Sequence, residues 1–298
     1  MLFEAEVIAE LLQGAIDMHV HSSPSLFERS VDDLELVKSA REAGMKAVVI
    51  KSHDGNSAGR ANIAQKAVGE GRCYAFGGLV LNSYCGGLNP DAVEAAIKIG
   101  AKIIWMPTVS SQNHINVYGA TDYTRKSQNK HLNNESGIII LNKFGELLPE
   151  VEKILEIIGE NDVCLATGHL SNLEIKVLCE KALKKGLKKI LITHPDFETN
   201  RMSLPEQKYY AEKGIYLEKT LLSLSPQWNG IEPNELVRGI EYLGPESCVI
   251  TTDYGQKDNI VPIEGMKQFL KILLDNDMKA EHIEEMLKKN PGRLLNIS

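Results

Sequence analysis

The segment Asp17-Met18-His19-Val20-His21 closes a short apolar run with two histidines two residues apart. Alternate side chains of a strand point the same way, so His19 and His21 share a face and can offer two imidazole nitrogens to one divalent ion. Taken alone, such a pair is equally explained by two packed histidines. Other runs end in similar chemistry: His169 after Val163-Cys164-Leu165-Ala166-Thr167-Gly168, His194 after Ile190-Leu191-Ile192-Thr193, and Asp253 after Val249-Ile250-Thr251-Thr252. Lys51 and His53 follow a further run at the same i, i+2 spacing. Imidazole and carboxylate together suit zinc, manganese, iron or nickel, and such an ion lowers the pKa of water toward ~7. Asp253 has an acceptor oxygen to take a water's proton and return it to a leaving group. A histidine outside the ligand set, for which His194 is the candidate, would polarise a substrate carbonyl.

The elements that must position these groups alternate in type. Continuous apolar runs predict strands at 15–20, 47–51, 74–81, 102–106, 163–167, 189–193, 215–218 and 248–252, with an extra run at 138–141. Unbroken apolarity is what a strand covered on both faces of a parallel sheet requires. Helical periodicity follows at 31–43, 90–99, 173–185, 205–213, 234–243, 263–275 and 280–289, and Gly44, Gly100, Gly186 and Gly214 close helices before the next strand. Eight strand–helix units in 298 residues predict a (β/α)8 TIM barrel, α/β in class, as one domain over 1–298 rather than an open doubly wound sheet. Residues 108–137, rich in Ser, Asn, Gln and Tyr, predict a long loop after strand four, on the face where barrels keep their active sites.

The chain carries 33 Lys+Arg against 40 Asp+Glu, a formal charge of −7, which argues against nucleic acid as a partner. The run at 138–141 is the longest apolar cluster, far short of the ~18 residues that span a bilayer, so no membrane partner is expected. The first residues carry Glu4, Glu6 and Glu10 and no basic residue, unlike a secretory leader, and five cysteines without a Cys-x-x-Cys pair fit a reducing cytoplasm. Neither a GxxxxGK[ST] loop, a GxGxxG turn nor a GxSxG elbow occurs.

The His-x-His of strand one, the single histidines on strands five and six and the aspartate on strand eight resemble the amidohydrolase superfamily of metal-dependent hydrolases. Asn290-Pro291-Gly292-Arg293-Leu294-Leu295 is similar to the segment that often closes those barrels, and the resemblance covers about 16–295. It implies that His19, His21, His169, His194 and Asp253 are metal-site residues for one or two divalent ions, zinc first. There is one departure. Binuclear members bridge two ions with a carbamylated Lys or a Glu ending strand four, where this chain reads Lys102-Ile103-Ile104-Trp105-Met106-Pro107. Either the site is mononuclear or another residue bridges, and Lys51 is the candidate, as a carbamate. The alternatives for Lys51 are a charged amine for a substrate carboxylate, or a partner for Asp54 or Asp17.

Around this set, His53, Arg60, His114 and Glu218 are candidate substrate contacts. Arg60 offers a bidentate hold on an anion or else a solvated charge at a helix start. His114 either closes over the site from the long loop or is a plain loop histidine, Glu218 is also a candidate ligand, and His131 and His282 read as surface residues. The expected activity is hydrolysis of an amide, cyclic amide or ester-like bond in a small molecule, in a barrel that self-associates. Decarboxylation or phosphoester cleavage on the same site is the alternative, and a non-catalytic metal-binding barrel the third reading.

Overall fold

In a computed structural model that describes residues 2–119 and 136–297, the apolar runs pair in chain order. Strands β1 (Ile16–Val20), β2 (Ala47–Ile50), β3 (Tyr74–Val80), β4 (Ile103–Trp105), β5 (Cys164–Ala166), β6 (Ile190–Ile192), β7 (Tyr216–Thr220) and β8 (Cys248–Thr251) form one parallel sheet, each bonded to its successor. The ring closes between β8 and β1, where His21 N donates to Tyr254 O (2.8 Å) and Asp253 N to His19 O (2.9 Å). The fold is the (β/α)8 barrel that the alternating pattern predicts. Ile16, Met18, Val49, Trp105, Ala166, Leu191 and Val249 fill its interior, while Val20, Val48, Ile50, Ile104, Leu165 and Ile250 lie under the surrounding helices. Burial on both faces is why these strands read as unbroken apolar runs.

Local signals set the helix ends. Asp32, Ser171 and Ser203 each form a capping box with the glutamate three residues on, and Asn89 caps a helix that opens with Pro90. At the far end of the barrel, helix Asn290–Leu295 is pinned by Asn290 Nδ2 donating to Cys248 O (2.7 Å) and Pro245 O (2.9 Å), and Leu294 and Leu295 join the interior cluster. The rim of strand C-termini and this plugged rim are thus opposite ends of the same strands.

One irregularity positions chemistry. Between β1 and β2 the pairing runs Asp17 with Val48 but Val20 with Ile50, so β1 holds one residue more than its neighbour. A bulge re-aims side chains. Here it lets Met18 face the interior and His19, the next residue, do so too. The Asp17 carboxylate beside this break accepts from His19 N (3.1 Å), from Thr252 N after β8 (3.2 Å) and from the Thr252 hydroxyl (2.6 Å). Burial outweighs those bonds and brings the Asp17 pKa up to about 7.

Two expectations change. The run at 138–141 is not a ninth strand; it makes single bridges, Ser111 with Ile138 and Leu141 with Leu147, because a closed eight-strand ring leaves no edge to join. The stretch after β4 is not wholly irregular, since Gln112–Tyr118 is helical, capped by Ser111 and ended by Gly119. Residues 120–135 of that loop, with His131, lie outside the described residues. Among the described residues no helix is long and apolar enough to cross a membrane.

Candidate metal centre

At the rim formed by the strand C-termini, His19, His21 and Asp253 bring three donor atoms within 4.8 Å of one another, all buried. Their partners fix the tautomers. His19 Nδ1 lies 3.0 Å from Glu218 Oε1, which can only accept, so that nitrogen carries the proton and Nε2 faces Asp253 Oδ1 at 2.9 Å. His21 Nδ1 lies 2.9 Å from the Lys51 carbonyl and is likewise the donor, which turns His21 Nε2 toward the same Asp253 oxygen at 3.1 Å. Two nitrogen lone pairs thus converge on a carboxylate oxygen. Acceptors facing an acceptor repel unless positive charge lies among them, and that charge is a proton or a metal ion.

The electrostatics match. Burial works to strip the His19 proton, but the carboxylates of Asp253 and Glu218 outweigh it and the Lys51 ammonium, and raise the His19 pKa to about 9. Burial also opposes a charge on Asp253, yet His19 and His21 hold its carboxyl well below the usual carboxylate range. His21, His53 and His169 are held neutral by burial, aided by Arg29 at His21, by His21 at His53 and by His194 at His169. Burial brings His194 down to about 4. Neutral imidazole is the form that binds a metal.

A second pair stands beside the first. His169 Nε2 and His194 Nε2 are 3.2 Å apart, close to the ~3.3 Å that separates two nitrogens sharing one tetrahedral zinc. The ring of His194 stacks 6.1 Å from that of His19, so the two pairs form one cluster. Special backbone places this side of the rim: His194 has φ 30° and Asp253 φ 53°, left-handed values uncommon outside glycine. Gly168, at φ 60°, has no room for a Cβ against the Met106 and Pro107 carbonyls, so His169 follows the one residue type that fits.

Lys51 leaves β2 into the middle of this cluster. Its Nζ is 2.9 Å from His19 Nε2 and lies over the Trp105 ring, 5.6 Å from its centre. Burial lowers its pKa, against the pull of Asp253 and Glu218. Trp105 itself, which ends β4, keeps a buried Nε1–H with no acceptor among the described residues. A donor left open in so buried a place signals an acceptor that the polypeptide does not supply. The donor set and this orphan fit one or two divalent ions with an oxygen ligand.

The remaining candidates sort by geometry. His53 is in the rim, its ring 4.9 Å from His21, with Nδ1 2.8 Å from the Thr108 hydroxyl, which Asn82 also holds. Glu218 faces the cluster as an orienting group: besides His19 it accepts from Thr251 Oγ1 (3.1 Å) and from His194 N (3.0 Å). His114 is fully buried rather than lying over the opening, and it contacts His169. Arg60 is not brought to the cluster. Its guanidinium clamps Asp33 (2.7 and 2.9 Å) and the carbonyls of Ser22 and Pro24, which leaves it fastening the β1 loop to helix Ala58–Ala64. Sequence reasoning did not find Arg29, whose charge acts on His21, His53 and Lys51, nor Asn200, six residues past His194 and bonded to its ring. A cation and an amide in loops carry no periodicity, so no pattern marked them.

Solved structures share this fold across nearly the whole chain. An amidohydrolase from Pseudomonas aeruginosa superposes with a TM-score of 0.65 at 14% identity, over 98% of each chain. An organophosphorus hydrolase mutant from Deinococcus radiodurans gives 0.57 at 15%, over 96% of this chain and 94% of that one. A probable 2-pyrone-4,6-dicarboxylic acid hydrolase from Acinetobacter baumannii, with citric acid bound, gives 0.58 at 12%, over 96% and 100%. No curated protein matches the sequence. A family model does match, over residues 14–218, more than two thirds of the chain, and its description is "Family of unknown function (DUF6282)". The chain therefore belongs to the DUF6282 family, on a barrel of the kind that amidohydrolases use.

Proposed function

We propose that this protein is a metal-dependent hydrolase that cleaves an amide, cyclic amide or ester-like bond in a small molecule. The observation that carries the reading is the convergence of His19 Nε2 and His21 Nε2, each with its Nδ1 proton committed elsewhere, on Asp253 Oδ1. When bound, a divalent ion, zinc first, supplies Lewis acidity and a lowered water pKa. Asp253, kept ionised by His19 and His21, has acceptor oxygens to take the proton of the attacking water and deliver it to the leaving heteroatom. Glu218 holds His19 in one orientation, and His53 stacks on His21 within the field of the Arg29 charge.

Lys51, as a carbamate, would supply the oxygen ligand that β4 lacks. As a neutral amine it adds to CO2, forming a carbamate anion and releasing one proton, and the orphan Trp105 Nε1–H and the nearby His19 support an anion there. The buried free cysteines fit a reducing cytoplasm. Decarboxylation is the second reading, favoured by a β4 that ends in Trp105 with no acidic ligand.

The test is turnover of an amide, lactone and carboxylic-acid panel in H2(18)O by metal-loaded protein. Label in the product carboxyl, lost by about 10²–10⁴-fold in D253N, is the expected result. Release of CO2 without label would favour the second reading. Turnover unchanged in D253N would remove Asp253 from the chemistry.

A further inference from the structure

His169 is oriented from its far side by a residue that the chemistry above does not use. Helix Gln112–Tyr118 and its N-cap Ser111 grip it: Ser111 Oγ donates to the His169 carbonyl (2.9 Å), Asn113 Nδ2 donates to that carbonyl (3.1 Å) and to Thr199 O (2.8 Å), and His114 Nδ1 sits 3.0 Å from His169 Nδ1. Ser111 also accepts from His114 N (3.0 Å), and the His114 ring packs 4.6 Å from Tyr118. Nothing in this arrangement lets His114 ligate through Nδ1, because that atom addresses the edge of His169 opposite the one facing His194.

The His194 tautomer is fixed by its surroundings. Asn200 Nδ2 donates to the Thr193 carbonyl (3.0 Å), so Asn200 Oδ1 is the atom 3.2 Å from His194 Nδ1 and must accept its proton. His194 Nε2 is therefore a lone pair. His169 has two ways to fit between this lone pair and His114. With its proton on Nε2 it donates to His194 and accepts from His114 Nδ1–H, giving a hydrogen-bonded chain of three rings. With its proton on Nδ1 it donates to His114 Nδ1, and two bare Nε2 atoms face one place 3.2 Å apart. Only the second arrangement holds an ion.

We propose that His114 is the positioning residue of the β5–β6 half of the metal centre: as its Nε2–H tautomer it accepts the His169 Nδ1 proton and so turns the His169–His194 pair into a two-nitrogen ligand. Metal-bound histidines commonly give their other N–H to a carboxylate or carbonyl, and here a second imidazole takes that place. The inference rests on the metal-centre reading and adds to it that the two halves depend on different supports.

Titration of metal-stripped protein with Co2+ against a chromophoric chelator, in wild type, H114F and H114N, tests it. Phe keeps a ring against Tyr118 and removes the acceptor; Asn sets an amide oxygen near the position of Nδ1. The expected result is two ions in wild type, one weakened about 10- to 100-fold in H114F while the other is unchanged, with affinity restored in H114N. Ring-nitrogen NMR of the zinc-loaded wild type should find the His169 proton on Nδ1. Full two-ion affinity in H114F would overturn the inference, as would H114N falling as far as H114F. A wild type that takes one ion, lost in H21N, would also overturn it while leaving the metal-centre reading intact. A wild type that takes none would end both.

Discussion

Among the described residues two lysines are buried in this barrel, on opposite faces of its strands. Lys219, on β7, points away from the interior and meets Asp196 Oδ2 and Gln207 Oε1, each at 2.7 Å, while Gln207 Nε2 donates back to Asp196 Oδ1 (2.8 Å). Every member of that triangle has a partner of the right kind. Lys51 points inward, and among the described residues its ammonium has a histidine nitrogen and the face of Trp105, with no carboxylate in direct contact. The first is a buried charge neutralised where it stands, and the second a buried amine whose charge is disfavoured. Satisfaction marks structure; its absence, in a fold otherwise so well bonded, marks chemistry.

If the contrast holds, the two lysines fail differently. The apolar replacement K219M leaves Asp196 buried without its cation and should cost about 3–5 kcal/mol of stability in urea melts, whereas K51M, of similar volume, should cost less than about 1.5 kcal/mol yet lose metal. Equal destabilisation of the two would erase the distinction. E218Q sharpens it within the cluster: one acceptor oxygen becomes a donor, and metal affinity should fall about 10- to 100-fold in a chelator competition with the fold retained. D17A strips the β1 bulge of its acceptor and should lower stability by about 1–3 kcal/mol, read from a thermal melt.

The smallest effect belongs to the surface. The Asp162 carboxyl is held below its usual pKa by its hydrogen bonds to Lys189 and Asn296, and it is largely exposed, so solvent screening limits D162N to less than about 1 kcal/mol. Because the folded pKa is the lower one, this contribution is present above the ordinary aspartate pKa and is lost as pH falls through the folded value. Stability curves of wild type and D162N should therefore converge in acid. Curves that stay parallel down to the acid limit would show that the ion pair contributes nothing.

The barrel was legible because both faces of each strand are buried, which writes an apolar run for every strand and a polar residue where it ends. His19, His21, His169, His194 and Asp253 stood out for that reason, and the rim gathers them. The bulge in β1 left no trace in the sequence, since Asp17-Met18-His19 reads as plain alternation and the extra residue shows only against β2. Arg60 was misleading because its type suits an anion, while its partner Asp33 lies 27 residues away in a different element. His114 and Asn200 act through tautomers, which depend on partners that only the folded chain assembles.

The most direct measurement is anomalous X-ray diffraction at the zinc edge from crystals of zinc-loaded protein. The expected result is an ion bound by His19 Nε2, His21 Nε2 and an Asp253 carboxylate oxygen, with ligand distances of about 2.0–2.2 Å. A rim with no anomalous peak within reach of those three atoms, in protein shown to be folded and metal-saturated, would contradict it.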